Sequence, residues 1–257
     1  MNFFASHYSQ LSDYQNLCKA NLSVEQISQI IQGQKHFFSF PNACYEDKQL
    51  QSLLIDQIYG FNIKEVEQGI ARNASEFYGD YEVWAGLNPR QLQTPYDELV
   101  DVLKICQLGA GDTLMDLGAG YGRAGVILGE HFKDSHFLGL EVTRERVIEG
   151  NRIFKKFGHT NSRLIAAAAH EYCVTEHPAS IYFLYDFGHP TQLEQTLQEL
   201  VQIAFKEPFY LVARGRGVRS IIDYKFPQFW SAFSAYHGET FSIYSTFCDV
   251  TTIVQSP

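Results

Sequence analysis

The sequence predicts a three-layer α/β fold: a mainly parallel sheet with helices on both faces, a terminal antiparallel β-pair, and a helical appendage at the N-terminus. Two observations carry this. From about residue 111 onward, short β-rich runs alternate with amphipathic segments of helical period, the pattern of right-handed βαβ crossovers. Before residue 110, apolar positions recur only at helical spacing. A chain of 257 residues, 45% hydrophobic and 19% charged, can bury one large core with an appendage, which excludes disordered and fibrous classes.

In the first part, Ser23 with Gln26 forms a capping box ahead of the apolar stripe Val24, Ile27, Ile30 and Ile31, and Gly33 can close that helix. A second stripe, Leu50, Leu53, Leu54 and Ile58, ends before Gly60, and a third helix covers Ile63 to Asn73. Residues 77–95 are rich in glycine, proline and aromatics and read as an ordered loop. Tyr96, Leu99, Val100, Leu103 and Cys106 then recur at helical spacing. The expected division is a helical appendage or lid over residues 1–90 and a ligand-binding domain over residues 91–257.

Within the second part, strands are expected at 113–118, 136–141, 162–167, 180–186 and 209–214, with helices at 123–132, 144–157 and 192–205. Thr191 and Glu194 form a capping box after Pro190. The tail from Glu239 is rich in β-branched and aromatic residues and reads as a terminal antiparallel pair.

Charge and cysteine usage narrow the function. Twenty basic against twenty-nine acidic side chains give a net charge of −9, which argues against duplex-DNA binding by phosphate neutralisation. The imbalance is concentrated at the front, with 13 Asp/Glu and 7 Lys/Arg in residues 1–110. Five scattered cysteines without a CxxC pair read as reduced thiols, with neither a disulfide framework nor a metal site. No apolar run approaches the ~20 residues of a membrane span, and the N-terminus lacks a signal-peptide pattern. A soluble cytoplasmic protein is expected.

The segment Leu114-Met-Asp-Leu-Gly-Ala-Gly-Tyr-Gly-Arg-Ala-Gly125 carries the chemistry. A strand ends in a glycine turn that opens a helix. Gly118, Gly120 and Gly122 allow positive φ and let backbone approach a ligand at a helix N-terminus, with Ala119 between them. Glu141 ends the next strand, where a carboxylate can accept hydrogen bonds from a ribose diol. Gly120-x-Gly122-x-x-Gly125 also spells the dinucleotide fingerprint, so NAD competes. Asp116 favours S-adenosyl-L-methionine, because a carboxylate suits an ammonium and sits poorly beside a pyrophosphate. The GxGxG spacing directly after the strand and the final β-pair point the same way.

Asp116-Leu-Gly-Ala-Gly-Tyr-Gly-Arg123 resembles motif I of the class I S-adenosylmethionine-dependent methyltransferases. Within that Rossmann-like class the chain is similar to the Dot1-like and related seven-strand lysine methyltransferases, through Gln93-Thr94-Pro95-Tyr96 upstream, DLGxGxGR, and a polar residue ending strand four. The resemblance implies methyl transfer to a protein side chain such as lysine, with a small metabolite or nucleic acid as the alternative acceptor and a non-catalytic binding protein as the alternative class. It implies that Gln93, Thr94 and Tyr96 cover the methionine end of the cofactor. In one respect the chain departs from that pattern: Ala166-Ala-Ala-Ala169 followed by His170 and Glu171 stands where the family offers a polar residue to adenine.

Asp186 ends strand four, beyond which ligands sit in open α/β sheets, and is the candidate catalytic residue, able to orient or deprotonate an amine. Capping of the following turn is its other reading. His189 before Pro190 reads first as a turn residue. Arg123, a cation at a helix start, requires a carboxylate partner from either cofactor or protein. Arg144, Arg146, Arg152, Lys155 and Lys156 form a basic helix face that reads first as solvated, and second as a surface for an acidic partner or RNA. Phe77, Tyr78, Tyr81 and Trp84 cluster in the loop leading to the cofactor.

Overall fold

The computed structural model describes residues 10–34, 36–77 and 93–251, without the side chains of 73–77. The aromatic cluster Phe77, Tyr78, Tyr81 and Trp84 lies outside the described side chains. Four helices come first: α1 (Leu11–Lys19), α2 (Val24–Gly33), α3 (Tyr45–Tyr59) and α4 (Ile63–Phe77). The Ser23–Gln26 capping box forms as expected, and Gly60 closes α3 in the left-handed conformation at φ +77°. Helix α1 was not legible from its pattern, since only Tyr14 and Leu17 are buried along it.

Helix α5 (Tyr96–Ile105) leads into β1 (Thr113–Leu117), α6 (Arg123–His131), β2 (His136–Glu141), α7 (Arg144–Phe157), β3 (Ser162–Ala166), β4 (Ile181–Tyr185), α8 (Pro190–Ala204), β5 (Tyr210–Arg214), α9 (Arg216–Lys225), β6 (Tyr236–His237) and β7 (Phe241–Ser245). The strands form one seven-stranded sheet in the order β3-β2-β1-β4-β5-β7-β6. Strands β1 to β5 are parallel, and β7 runs antiparallel to both β5 and β6. The order reverses between β1 and β4, so a crevice opens beyond the carboxyl ends of β1, β2 and β4. The predicted fold class is the observed one.

Side chains alternate across the sheet with period two. Leu114, Ile181, Phe183, Tyr210 and Val212 face α5, α6, α7 and the N-terminal helices, in one continuous cluster that includes Tyr14, Ile31, Phe37, Ile55 and Tyr59. Met115, Leu117, Tyr182, Leu184, Leu211 and Ala213 face α8 and α9. The appendage therefore shares a core with the sheet domain on one face. At roughly 1.5–3 kcal/mol per fully buried large apolar side chain, that shared cluster is a major part of the folding energy.

Three expectations are corrected. Helix α8 begins at Pro190 with His189 as its N-cap: the His189 N–H donates to Gln192 Oε1 at 2.9 Å, and its ring accepts from the Thr191 N–H at 3.4 Å. The Thr191–Glu194 box lies two residues too late. The antiparallel pair falls at Tyr236–His237 and Phe241–Ser245, earlier than the tail reading placed it. Helix α9 was not expected, because Arg214-Gly-Arg-Gly masks its first turn.

On the basic face of α7, Arg144 and Lys155 are exposed as the solvated reading has them, while two further cations dock the appendage. Lys156 Nζ donates to the Tyr59 carbonyl at 2.9 Å and Arg152 Nη2 to the Gly60 carbonyl at 2.6 Å, so both cations neutralise the carboxyl end of α3. These residues bind the same chain.

Candidate functional site

The crevice at the switch point holds two adjoining pockets separated by the glycine loop, with Gly118, Gly120 and Tyr185 common to both. The loop is hung on β2, since the Gly118 and Ala119 N–H groups donate to the Leu140 carbonyl at 2.9 and 2.8 Å. Gly118, Gly120 and Gly122 take φ of +101°, +56° and +78°, conformations that cost an L side chain about 1 kcal/mol or more. Gly122 also serves as N-cap of α6, and its N–H donates to the Ala119 carbonyl at 2.9 Å. It shapes the turn and lines neither pocket.

The inner pocket is lined by Gln93, Thr94, Asp116, Ala119 and the start of α6. Asp116 is 7% exposed and forms no hydrogen bond among the described residues. Burial, reinforced by the nearby Glu141 carboxylate, pushes its carboxyl up to about 8. Gln93 Nε2 is a buried donor without a partner among the described residues. A buried acid and an unpaired amide donor on one small pocket suit a zwitterion, the ammonium toward Asp116 and the carboxylate toward Gln93.

The larger cleft encloses about 800 Å³ including its open mouth, within the range of small-molecule sites. Glu141 closes one side. Its Oε2 accepts from the Gly120 N–H at 2.9 Å and its Oε1 from the Thr143 N–H at 2.9 Å. Thr143 Oγ1, fully buried on the same wall, has no partner among the described residues. Carboxylate oxygens keep acceptor capacity beyond one bond each, so Glu141 and Thr143 together can meet a diol. Ala167, Ala168, Ala169 and His170 line the far wall, while Glu171 is exposed and does not line it. Thr143 carries no motif, and only its place two residues past Glu141 could have marked it.

Asp186 lines the cleft, beside Tyr185, Phe187 and Gln192. Its carboxylate is engaged: Oδ1 accepts from the Val218 N–H at 2.7 Å and Oδ2 from the Gly217 N–H at 3.2 Å. It thus caps the start of α9, a distant helix rather than the turn that follows Asp186, which was the alternative reading. Gly215, at φ +91°, makes the approach feasible, because a Cβ there would lie 2.2 Å from Asp186 Oδ2.

Tyr96 is placed elsewhere than expected. It is fully buried, stacks on Phe38 at 5.2 Å and lines neither pocket. Opening α5 turns its side chain into the N-terminal helices, where its hydroxyl donates to Asp56 Oδ1 at 3.0 Å. Arg123, expected to need a carboxylate, finds Asp56 of α3. Arg214 is likewise internal: Nε donates to Glu98 Oε2 at 2.8 Å, and its guanidinium lies 4.1 Å from the Tyr185 ring centroid, fixing that wall of the cleft. Asp56 and Glu67 were not legible as site residues. Among the described residues, no group of three or more His, Cys, Asp or Glu is placed to hold a metal ion, and no helix is long and apolar enough to cross a membrane.

The sequence matches no family model and no curated protein. Among solved structures, the chain is similar to an RNA methyltransferase from Salinibacter ruber in complex with S-adenosyl-L-homocysteine, at 20% identity and TM-score 0.44, over 60% of this chain and 91% of that one. It is similar to an rRNA methylase from Streptococcus thermophilus at 12% identity and TM-score 0.43, over 60% and 96% of the two chains. A precorrin-6y C5,15-methyltransferase from Geobacter metallireducens aligns at 16% identity and TM-score 0.43, over 53% and 70%.

Proposed function

We propose that the chain is an S-adenosyl-L-methionine-dependent methyltransferase. One observation carries the reading: the glycine loop divides the crevice into a pocket with Asp116 and Gln93 and a cleft with Glu141 and Thr143, where Gln93 Nε2 and Thr143 Oγ1 are without a partner among the described residues. An amino-acid zwitterion joined to a nucleoside satisfies both sides, and a dinucleotide would bring a pyrophosphate against Asp116. Gln93, Thr94, Asp116, Gly118, Ala119, Gly120, Glu141 and Thr143 hold the cofactor, and Gly122 sets the loop.

The chemistry is in-line transfer of the sulfonium methyl, in which alignment of nucleophile, methyl and sulfur supplies most of the acceleration. Asp186, held by two backbone N–H groups, acts on the acceptor side by orienting the nucleophile. The acceptor we propose is a protein side chain, lysine first, on the resemblance of Asp116–Arg123 and Gln93–Tyr96 to the seven-strand lysine methyltransferases. Incubation with methyl-labelled S-adenosylmethionine and fractionated lysate tests it, with label expected in protein. Label in RNA or in small molecules replaces the acceptor, and label in none replaces turnover by binding alone.

A further inference from the structure

Residues on the glycine loop are gripped from outside the sheet domain. Tyr121 stands between Gly120 and Gly122, and its hydroxyl donates to Glu67 Oε1 of α4 at 2.8 Å. The same carboxylate receives both arms of Arg146, Nε to Oε1 at 2.9 Å and Nη2 to Oε2 at 3.1 Å. Arg146 lines the cleft, and its Nη1 lies 3.6 Å from Glu141 Oε1. All three charged groups are buried: Glu67 is 6%, Arg146 8% and Glu141 5% exposed.

A guanidinium between two buried carboxylates divides its donors between them. Here the aligned, bidentate contact goes to Glu67 and the longer one to Glu141. The Glu141 oxygens are thereby left to the Gly120 and Thr143 N–H groups and to the cleft. Loss of Glu67 would let Arg146 Nη1 close its 3.6 Å gap to Glu141 Oε1, and a full ion pair there would consume the acceptor capacity that a ribose needs. Tyr121 would also lose the bond that ties the loop to α4.

We infer that Glu67 is a positioning residue of the cofactor site: by holding Arg146 off Glu141 and Tyr121 in place, the N-terminal helix α4 sets the arrangement in which Glu141 and the loop backbone meet the cofactor. The inference rests on the reading that this cleft takes an adenosyl cofactor. It makes α4 part of the binding site although none of its described residues lines the cleft.

The test is a double-mutant cycle read by calorimetric binding of S-adenosylhomocysteine to the full chain. Glu67→Gln should weaken binding about tenfold in the wild-type background and less than about twofold when Glu141 is already Ala, the coupling expected of two groups acting through one another. Equal losses in both backgrounds, or no loss in either, would overturn the positioning role, since a merely structural contribution does not depend on Glu141. Should Glu67→Gln fail to fold, Glu67→Asp, which keeps the charge but draws the carboxylate back from Arg146 and Tyr121, carries the same cycle. A loss of about threefold that disappears with Glu141→Ala supports the inference, and unchanged binding overturns it. A wild-type chain that does not bind S-adenosylhomocysteine removes the cofactor reading and the inference together; normal wild-type binding with an additive cycle removes the inference alone.

Discussion

Arg123, the first residue of the helix that follows the glycine loop, forms a buried bidentate ion pair with Asp56 of α3 across 67 positions of sequence. Both side chains are 4% exposed. Tyr96 Oη also donates to Asp56, and Arg123 Nη1 donates to the Thr94 carbonyl at 3.0 Å, so every element of the pair is satisfied by protein. The pair joins the appendage, the Gln93–Tyr96 segment and the loop helix at one point.

Breaking such a pair from one side leaves an uncompensated buried charge. Asp56→Ala should cost about 3–5 kcal/mol of stability, measured by denaturant unfolding. A loss below about 1 kcal/mol would show that Arg123 reaches solvent easily, and that the junction is looser than its geometry.

The cofactor reading gives a direct stability measurement. S-adenosylhomocysteine at a hundredfold excess over Kd should raise stability by about 2.7 kcal/mol, whereas NAD should produce no thermal shift. A shift with NAD and none with S-adenosylhomocysteine would reverse the ligand assignment.

Much of this architecture is legible in the sequence. The loop Asp116–Gly125 and the strands that bracket it follow from period-two and period-3.6 patterns, which depend on neighbours a few residues away. Asp56 and Glu67 were not legible, because their partners lie 67 and 79 positions downstream and no local pattern marks an acid on a helix as internal. The resemblance gives Tyr96 to the cofactor, but the face a residue presents at the start of a helix is decided by what packs there. Helix α9 was hidden for a local reason: Gly215 and Gly217 are required by the approach of the Asp186 carboxylate, and glycines at a helix start read as loop.

Asp116 predicts a pH dependence. Its carboxyl stands at about 8 in the folded chain, against an ordinary value of 3.8. Below about pH 4 both folded and unfolded states hold the proton. Between about 4 and 8 the folded state keeps a proton that the unfolded state has lost, so this group lowers stability as pH rises through that window. An ammonium ligand favours the ionised form. S-adenosylhomocysteine should therefore bind more tightly at pH 7 than at pH 6, by up to about tenfold, with proton release visible as a buffer-dependent calorimetric enthalpy. Asp116→Asn should flatten the dependence; an unchanged slope in that variant would place the titrating group elsewhere.

Asp186 separates binding from turnover. Asp186→Ala removes the cap of α9 and should cost about 0.5–2 kcal/mol of stability, leave S-adenosylhomocysteine affinity nearly unchanged, and reduce methyl transfer. Loss of cofactor binding in this variant would place Asp186 on the cofactor side of the cleft rather than the acceptor side.

The N-terminal helices give the last prediction, because their contacts make them inseparable from the sheet domain. Removal of residues 1–92 takes away Asp56 and Glu67 together, leaving Arg123 without its Asp56 partner and Arg146 without its bidentate partner, drawn instead toward Glu141. It also uncovers the side of α5, α6 and α7 that now packs on Tyr14, Ile31, Phe37, Ile55 and Tyr59. Each of these losses alone is a sizeable fraction of the 5–15 kcal/mol by which domains are stable. A chain beginning at Gln93 should therefore unfold or aggregate and fail to bind S-adenosylhomocysteine. Supplying residues 1–77 as a separate polypeptide should recover part of that binding, because the helices would restore both carboxylates and the apolar cover. A truncated chain that is stable and binds the cofactor with normal affinity would show that the helices are a module resting on the domain, and that the glycine loop needs neither Asp56 nor Glu67.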